Sequence, residues 1–67
     1  MNNNNKEFLN KLIGLNKLSA SLLCDINGYN CRIVREDTNN YMVTMDMRFD
    51  RVNLEIENNR VVTADIG

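Results

Sequence analysis

Residues 51–66 constrain the fold more than any other part of the chain. Arg51-Val52-Asn53-Leu54-Glu55-Ile56-Glu57 alternates polar and apolar with period two, as a strand does when one face is dry and the other wet. Asn58-Asn59 follows, a pair suited to a tight turn whose central residues need positive φ. Arg60 to Ile66 then returns as the partner strand. A lone hairpin is marginal in water, so Val52, Leu54 and Ile56 must be covered by another element and are assigned to the core.

The cover is upstream. Asn16 suits a helix N-cap, and Leu15 before it can staple onto Ala20. Leu18, Leu22 and Ile26 form one stripe, widened by Ala20, Leu23 and Cys24, and Asn27-Gly28 supplies a left-handed stop. These signals predict a helix over Lys17 to Ile26 with that stripe and Cys24 facing the core. Cys31 to Arg35 is a short strand rich in β-branched residues, ending at Glu36-Asp37. Phe8, Leu9, Leu12 and Ile13 recur at helical spacing before Gly14, which predicts a turn or two of helix that docks as an apolar strap. Residues 1–5 are a polar, asparagine-rich run with nothing to bury, and are expected to be a disordered tail. Residues 6–67 are then a single domain. The expected class is α+β, with one α-helix packed on a small mixed β-sheet and a long connection between two strands.

Composition narrows function chiefly by exclusion. A 67-residue chain buries only about 60% of its unfolded surface and has no room for a second core. A net charge of -1 gives no basic face for nucleic acid. No apolar run approaches the roughly 20 residues of a membrane helix. Residues 1–15 break their apolar positions with Asn10 and Gly14 and lack the middle region of a signal peptide. The chain therefore reads as cytoplasmic, or as extracellular if it is a mature fragment. Without histidine, His-dependent triads and Cys–His pairs are ruled out within the chain. Two cysteines fall short of the four ligands of a structural zinc site. Glycines at 14, 28 and 67 alone make no phosphate-binding loop. These absences argue against an enzyme, a metal or a cofactor. Cys24 and Cys31 could form one short-loop disulfide or be two small buried thiols, and the free form fits better with a chain that shows no export signal.

Thr38 to Phe49 admits two readings. Tyr41, Val43, Met45 and Met47 alternate with Met42, Thr44, Asp46 and Arg48, as in a half-buried strand. Twelve residues is also long for a connection in so small a domain, and long loops are often functional. The pattern alone favours the strand, and periodicity does not reveal a binding loop.

The run Val43-Thr44-Met45-Asp46-Met47-Arg48-Phe49-Asp50-Arg51-Val52-Asn53-Leu54 resembles the potato inhibitor I-type serine protease inhibitors, a family that includes eglin c, barley chymotrypsin inhibitor-like proteins and short microbial relatives. The flanks are similar too: Leu12-Ile13-Gly14 before a capped helix, Cys31 to Arg35 before the loop, and Ile66-Gly67 at the close. The resemblance implies a long exposed reactive loop between two strands. In it Met45 is the specificity residue and Met45–Asp46 the scissile bond, with Val43, Thr44, Met47 and Arg48 contacting the protease. It implies Arg51 and Asn53 as loop supports, Asn53 standing where many members carry a second arginine. The implied partner is a chymotrypsin-like, elastase-like or subtilisin-like serine protease, bound by a monomer without cofactor. An apolar, unbranched Met45 suits such pockets and not a trypsin-like one, whose buried carboxylate wants a cation. The alternative expectation is a non-inhibitory protein-interaction module on the same fold.

Overall fold

The computed structural model of the chain describes residues 4–41, 46 and 48–67. In chain order the elements are α1 (Asn4–Leu12), α2 (Lys17–Ile26), β1 (Asn30–Glu36), β2 (Asn39–Asn40), β3 (Arg51–Glu57) and β4 (Arg60–Ile66). The strands make one sheet in the order β2-β1-β3-β4. β1 pairs with β3 in parallel, and β1–β2 and β3–β4 are antiparallel. The sheet is mixed and the class is α+β.

The local signals act as the residues dictate. The Asn16 side chain accepts a hydrogen bond from the Ser19 N–H at 2.8 Å, which satisfies one of the free donors at the start of α2. Gly28, at φ 81, turns the chain out of the helix. Asn58 and Asn59 sit at φ 52 and 62, the left-handed pair that matches the twist of a two-residue hairpin.

Two expectations are corrected. The first is the single helix. The amino-terminal segment is itself a helix from Asn4 to Leu12, because it finds tertiary partners that propensity alone does not supply. Leu12 is fully buried, Phe8 and Leu9 pack against the core, and the Phe8 ring stacks on Tyr29 with centroids 4.9 Å apart. The chain after it is tied to the edge strand: Gly14 N–H donates to the Val61 carbonyl at 2.9 Å, and Val61 N–H to the Leu15 carbonyl at 2.9 Å.

The second correction concerns which side of α2 faces inward. Leu18, Leu22 and Ile26 are 71%, 54% and 78% exposed, whereas Ala20 and Cys24 are completely buried. The two stripes lie on opposite sides of one helix, and period cannot choose between them. Small side chains let the helix approach the sheet closely. Ala20 and Cys24 join Val52, Leu54, Ile56 and Val61 in the core, with Leu23 packed at its margin.

The register sorts the sheet into two faces. Val52, Leu54 and Ile56 point to the helices and are buried. The pairs Arg32↔Asn53, Arg35↔Glu55, Asn53↔Asp65 and Glu55↔Thr63 occupy the other face. Extra residues at Val34 in β1 and at Val62 in β4 shift the alternation of those strands by one residue, as bulges do. Parallel pairing of β1 with β3 also obliges the chain between Glu36 and Arg51 to return along the strands, roughly 20 Å for seven residues. That return carries the residues of functional interest.

Candidate functional site

Within the run Thr38 to Phe49, only Asn39–Asn40 are strand among the described residues. Asp46 and Arg48 lie outside any strand and are exposed. Of the residues expected to meet a protease, Val43, Thr44, Met45 and Met47 lie outside the described residues. The site is therefore built from what surrounds them.

Arg51 opens β3, and its polar phase puts it on the face away from the helices. Its side chain is only 11% exposed, against 53% for that of Asp46. The guanidinium spans two parts of the chain. Nη2 donates to the Asp46 main-chain carbonyl at 2.8 Å, and Nε donates to the Gly67 carbonyl at 2.9 Å. Nη1 stands 3.5 Å from the Asp46 carboxylate. The Arg51 carbonyl in turn accepts from Gly67 N–H at 3.1 Å. A planar fork with two anchored arms holds the residue at its tip in one orientation, which a flexible ammonium would not do.

Asn53, two residues along the same face, adds to that anchor. Its Nδ2 donates to the Gly67 carbonyl at 3.2 Å and to Asp65 at 3.4 Å. A Cβ at position 67 would stand 3.3 Å from that nitrogen, so glycine permits the approach. Arg51 and Asn53, expected as supports, thus meet on one carbonyl; Arg51 reaches the loop directly, and Asn53 does not.

Arg48 pairs with Asp50, Nε to Oδ1 at 3.1 Å and Nη2 to Oδ2 at 3.2 Å. Asn30 holds the other side of Asp50: its N–H donates to the Asp50 carbonyl at 2.7 Å and its Nδ2 to the carboxylate at 3.4 Å. The Arg48 hydrogen bond lowers the Asp50 carboxyl below its usual range, and the same bond raises Arg48.

Asp50, Asn30 and Gly67 are the site residues that sequence reasoning missed. The spacing Arg48-x-Asp50 could have suggested the ion pair. The others depend on strand register, which no local pattern encodes.

Among the described residues no group of three or more His, Cys, Asp or Glu side chains could hold a metal, and no helix is long and apolar enough to cross a membrane. The arrangement fixes the Asp46 carbonyl through Arg51 while the Asp46 side chain stays exposed. The fold and site define a small α+β domain of two helices on a mixed four-stranded sheet, carrying an arginine-braced connection. Comparison with protein-family models, with curated proteins and with solved structures gives no match.

Proposed function

We propose that this chain is a serine protease inhibitor that presents the Met45–Asp46 bond as a substrate held too rigidly to be hydrolysed efficiently. One observation carries the reading: the Arg51 guanidinium, anchored on Gly67, grips the main-chain carbonyl of Asp46 at 2.8 Å. Asp46 follows the bond that the resemblance marks as scissile. A brace at that position keeps the new amine beside the acyl-enzyme after attack, so religation at high effective concentration outcompetes hydrolysis. Bracing before binding also reduces the ordering cost of the complex. The loop adds to the protease's substrate-binding edge by strand-like pairing, and Met45 fills an apolar specificity pocket. The fitting targets are chymotrypsin-, elastase- and subtilisin-type enzymes. The chain itself acts as a ligand, without catalysis or cofactor.

A second reading, a non-inhibitory interaction module, draws on a separate observation: the exposed Leu18, Leu22 and Ile26 stripe on α2, since contiguous apolar surface is often an interaction site. Titration against chymotrypsin, elastase, subtilisin and trypsin separates the two. The inhibitor reading expects stoichiometric loss of activity for at least one of the first three and none for trypsin. A flat response across the panel would leave the interaction module.

A further inference from the structure

Arg32 lies on β1, opposite Asn53 in the parallel register, and its Nε donates to Asn53 Oδ1 at 3.3 Å. That contact decides which way the Asn53 amide points. The amide has one accepting and one donating end. Its nitrogen faces two acceptors, the Gly67 carbonyl at 3.2 Å and the Asp65 carboxylate at 3.4 Å. Its oxygen faces the Arg32 donor. Turning the amide over would set oxygen against oxygen on one side and N–H against N–H on the other, so the surrounding network allows one orientation.

The consequence travels to the loop. The Gly67 carbonyl accepts from both Asn53 Nδ2 and Arg51 Nε, and Arg51 Nη2 then reaches Asp46. From Arg32 to Asp46 the contacts are continuous: Arg32 donates to Asn53 and Asn53 to the Gly67 carbonyl, where Arg51 also donates while its other arm holds Asp46. We infer that Arg32 is a positioning residue for the loop, acting through the Asn53 amide and the Gly67 carbonyl to hold the Arg51 guanidinium on Asp46. Its functional consequence rests on the inhibitor reading; the relay itself does not.

Arg35 is the natural control. It stands on the same strand and the same sheet face, yet its Nε and Nη2 pair with Glu55 and Glu57 at 2.9 Å each, outside the relay. Hydrogen exchange by nuclear magnetic resonance on the full chain, as wild type, Arg32→Met and Arg35→Met, tests the inference. The decisive probe is the Arg51 Nε–H, three hydrogen bonds away from Arg32. Arg32→Met is expected to speed its exchange, and that of the Asn53 side-chain amide, by roughly tenfold, the size of one lost charge-assisted hydrogen bond. Arg35→Met is expected to leave both within twofold.

With a protease that the chain titrates, Arg32→Met should also weaken inhibition by roughly tenfold and hasten cutting between Met45 and Asp46. Unchanged Arg51 exchange in Arg32→Met, or an equal rise in Arg35→Met, overturns the relay. If no protease is inhibited but the exchange follows the expected pattern, the relay stands and the inhibitor reading falls.

Discussion

At the scale of single residues, the site sets one nearly buried cation against one exposed backbone segment. Arg51 is shielded by the sheet, and Asp46 looks outward. On the proposed inhibitor reading, Met45 is the recognition residue and Arg51 the support. Met45→Lys is therefore predicted to move inhibition towards trypsin-like enzymes and to weaken it for chymotrypsin- or subtilisin-like ones. The expected loss is about 2 kcal/mol or more, the scale of a central interface anchor; inhibition constants across the same panel check it. A second residue-scale prediction concerns Asp50. Its folded pKa lies below the ordinary value because Arg48 hydrogen-bonds the carboxylate. The pair's contribution is therefore complete above the unfolded carboxylate pKa of about 4, and is lost as pH falls through the lower folded value. A carboxyl titration followed by nuclear magnetic resonance should place the Asp50 midpoint below the usual aspartate range, returning to it in Arg48→Met. Arg51 could be singled out from the sequence by its likeness to a known pattern. Arg32 could not, because nothing local to Cys31-Arg32-Ile33 says that Asn53 lies beside it.

At the scale of elements, the limits of pattern reading are clearest in α2. Its cap, its length and its glycine stop were all legible, since each depends on residues within a turn of one another. Its inward face was not. The helix is apolar on two sides, and only the packing of Ala20 and Cys24 onto the sheet decides between them. The prediction follows from exposure. Leu22→Ser should change stability by no more than about 0.5 kcal/mol, whereas Leu54→Ala in β3 should cost roughly 2–5 kcal/mol. Denaturant midpoints of the two variants test this, and equal losses would restore the stripe to the core. The hairpin was legible for the reason α2's ends were: Asn58-Asn59 states its own backbone preference. The helix α1 was underestimated because three apolar residues in nine suggest only a short turn until Tyr29 and the edge of β4 are in place to receive them.

At the scale of the whole molecule, the extents of 34 × 26 × 17 Å are those of a single sheet covered on one side. Helices take the apolar face, and the polar face carries Arg32, Arg51 and Asn53, so folding and loop bracing use opposite sides of the same strands. No disulfide joins the layers: both cysteines are free. Burial first, and the neighbouring Cys31, push the Cys24 thiol up to about 12. Since the thiolate is the reactive form, Cys24 is predicted to resist iodoacetamide in the folded chain at about pH 8 and to react once denaturant is added, as mass spectrometry of the labelled peptide would record. That the sheet is mixed was legible, but that β1 pairs with β3 was not. The path between those strands was not legible either, because the period-two run from Tyr41 to Met47 reads as a strand.

The most direct measurement is mass spectrometry of the intact chain during incubation with catalytic subtilisin, for the wild type and for Arg51→Ala. The account predicts that the wild type persists, with a single slowly accumulating cut between Met45 and Asp46 while the enzyme stays inhibited. Arg51→Ala should be cut at that bond and release active enzyme. Rapid cleavage of the wild type at many positions, or identical behaviour of the two chains, would contradict it.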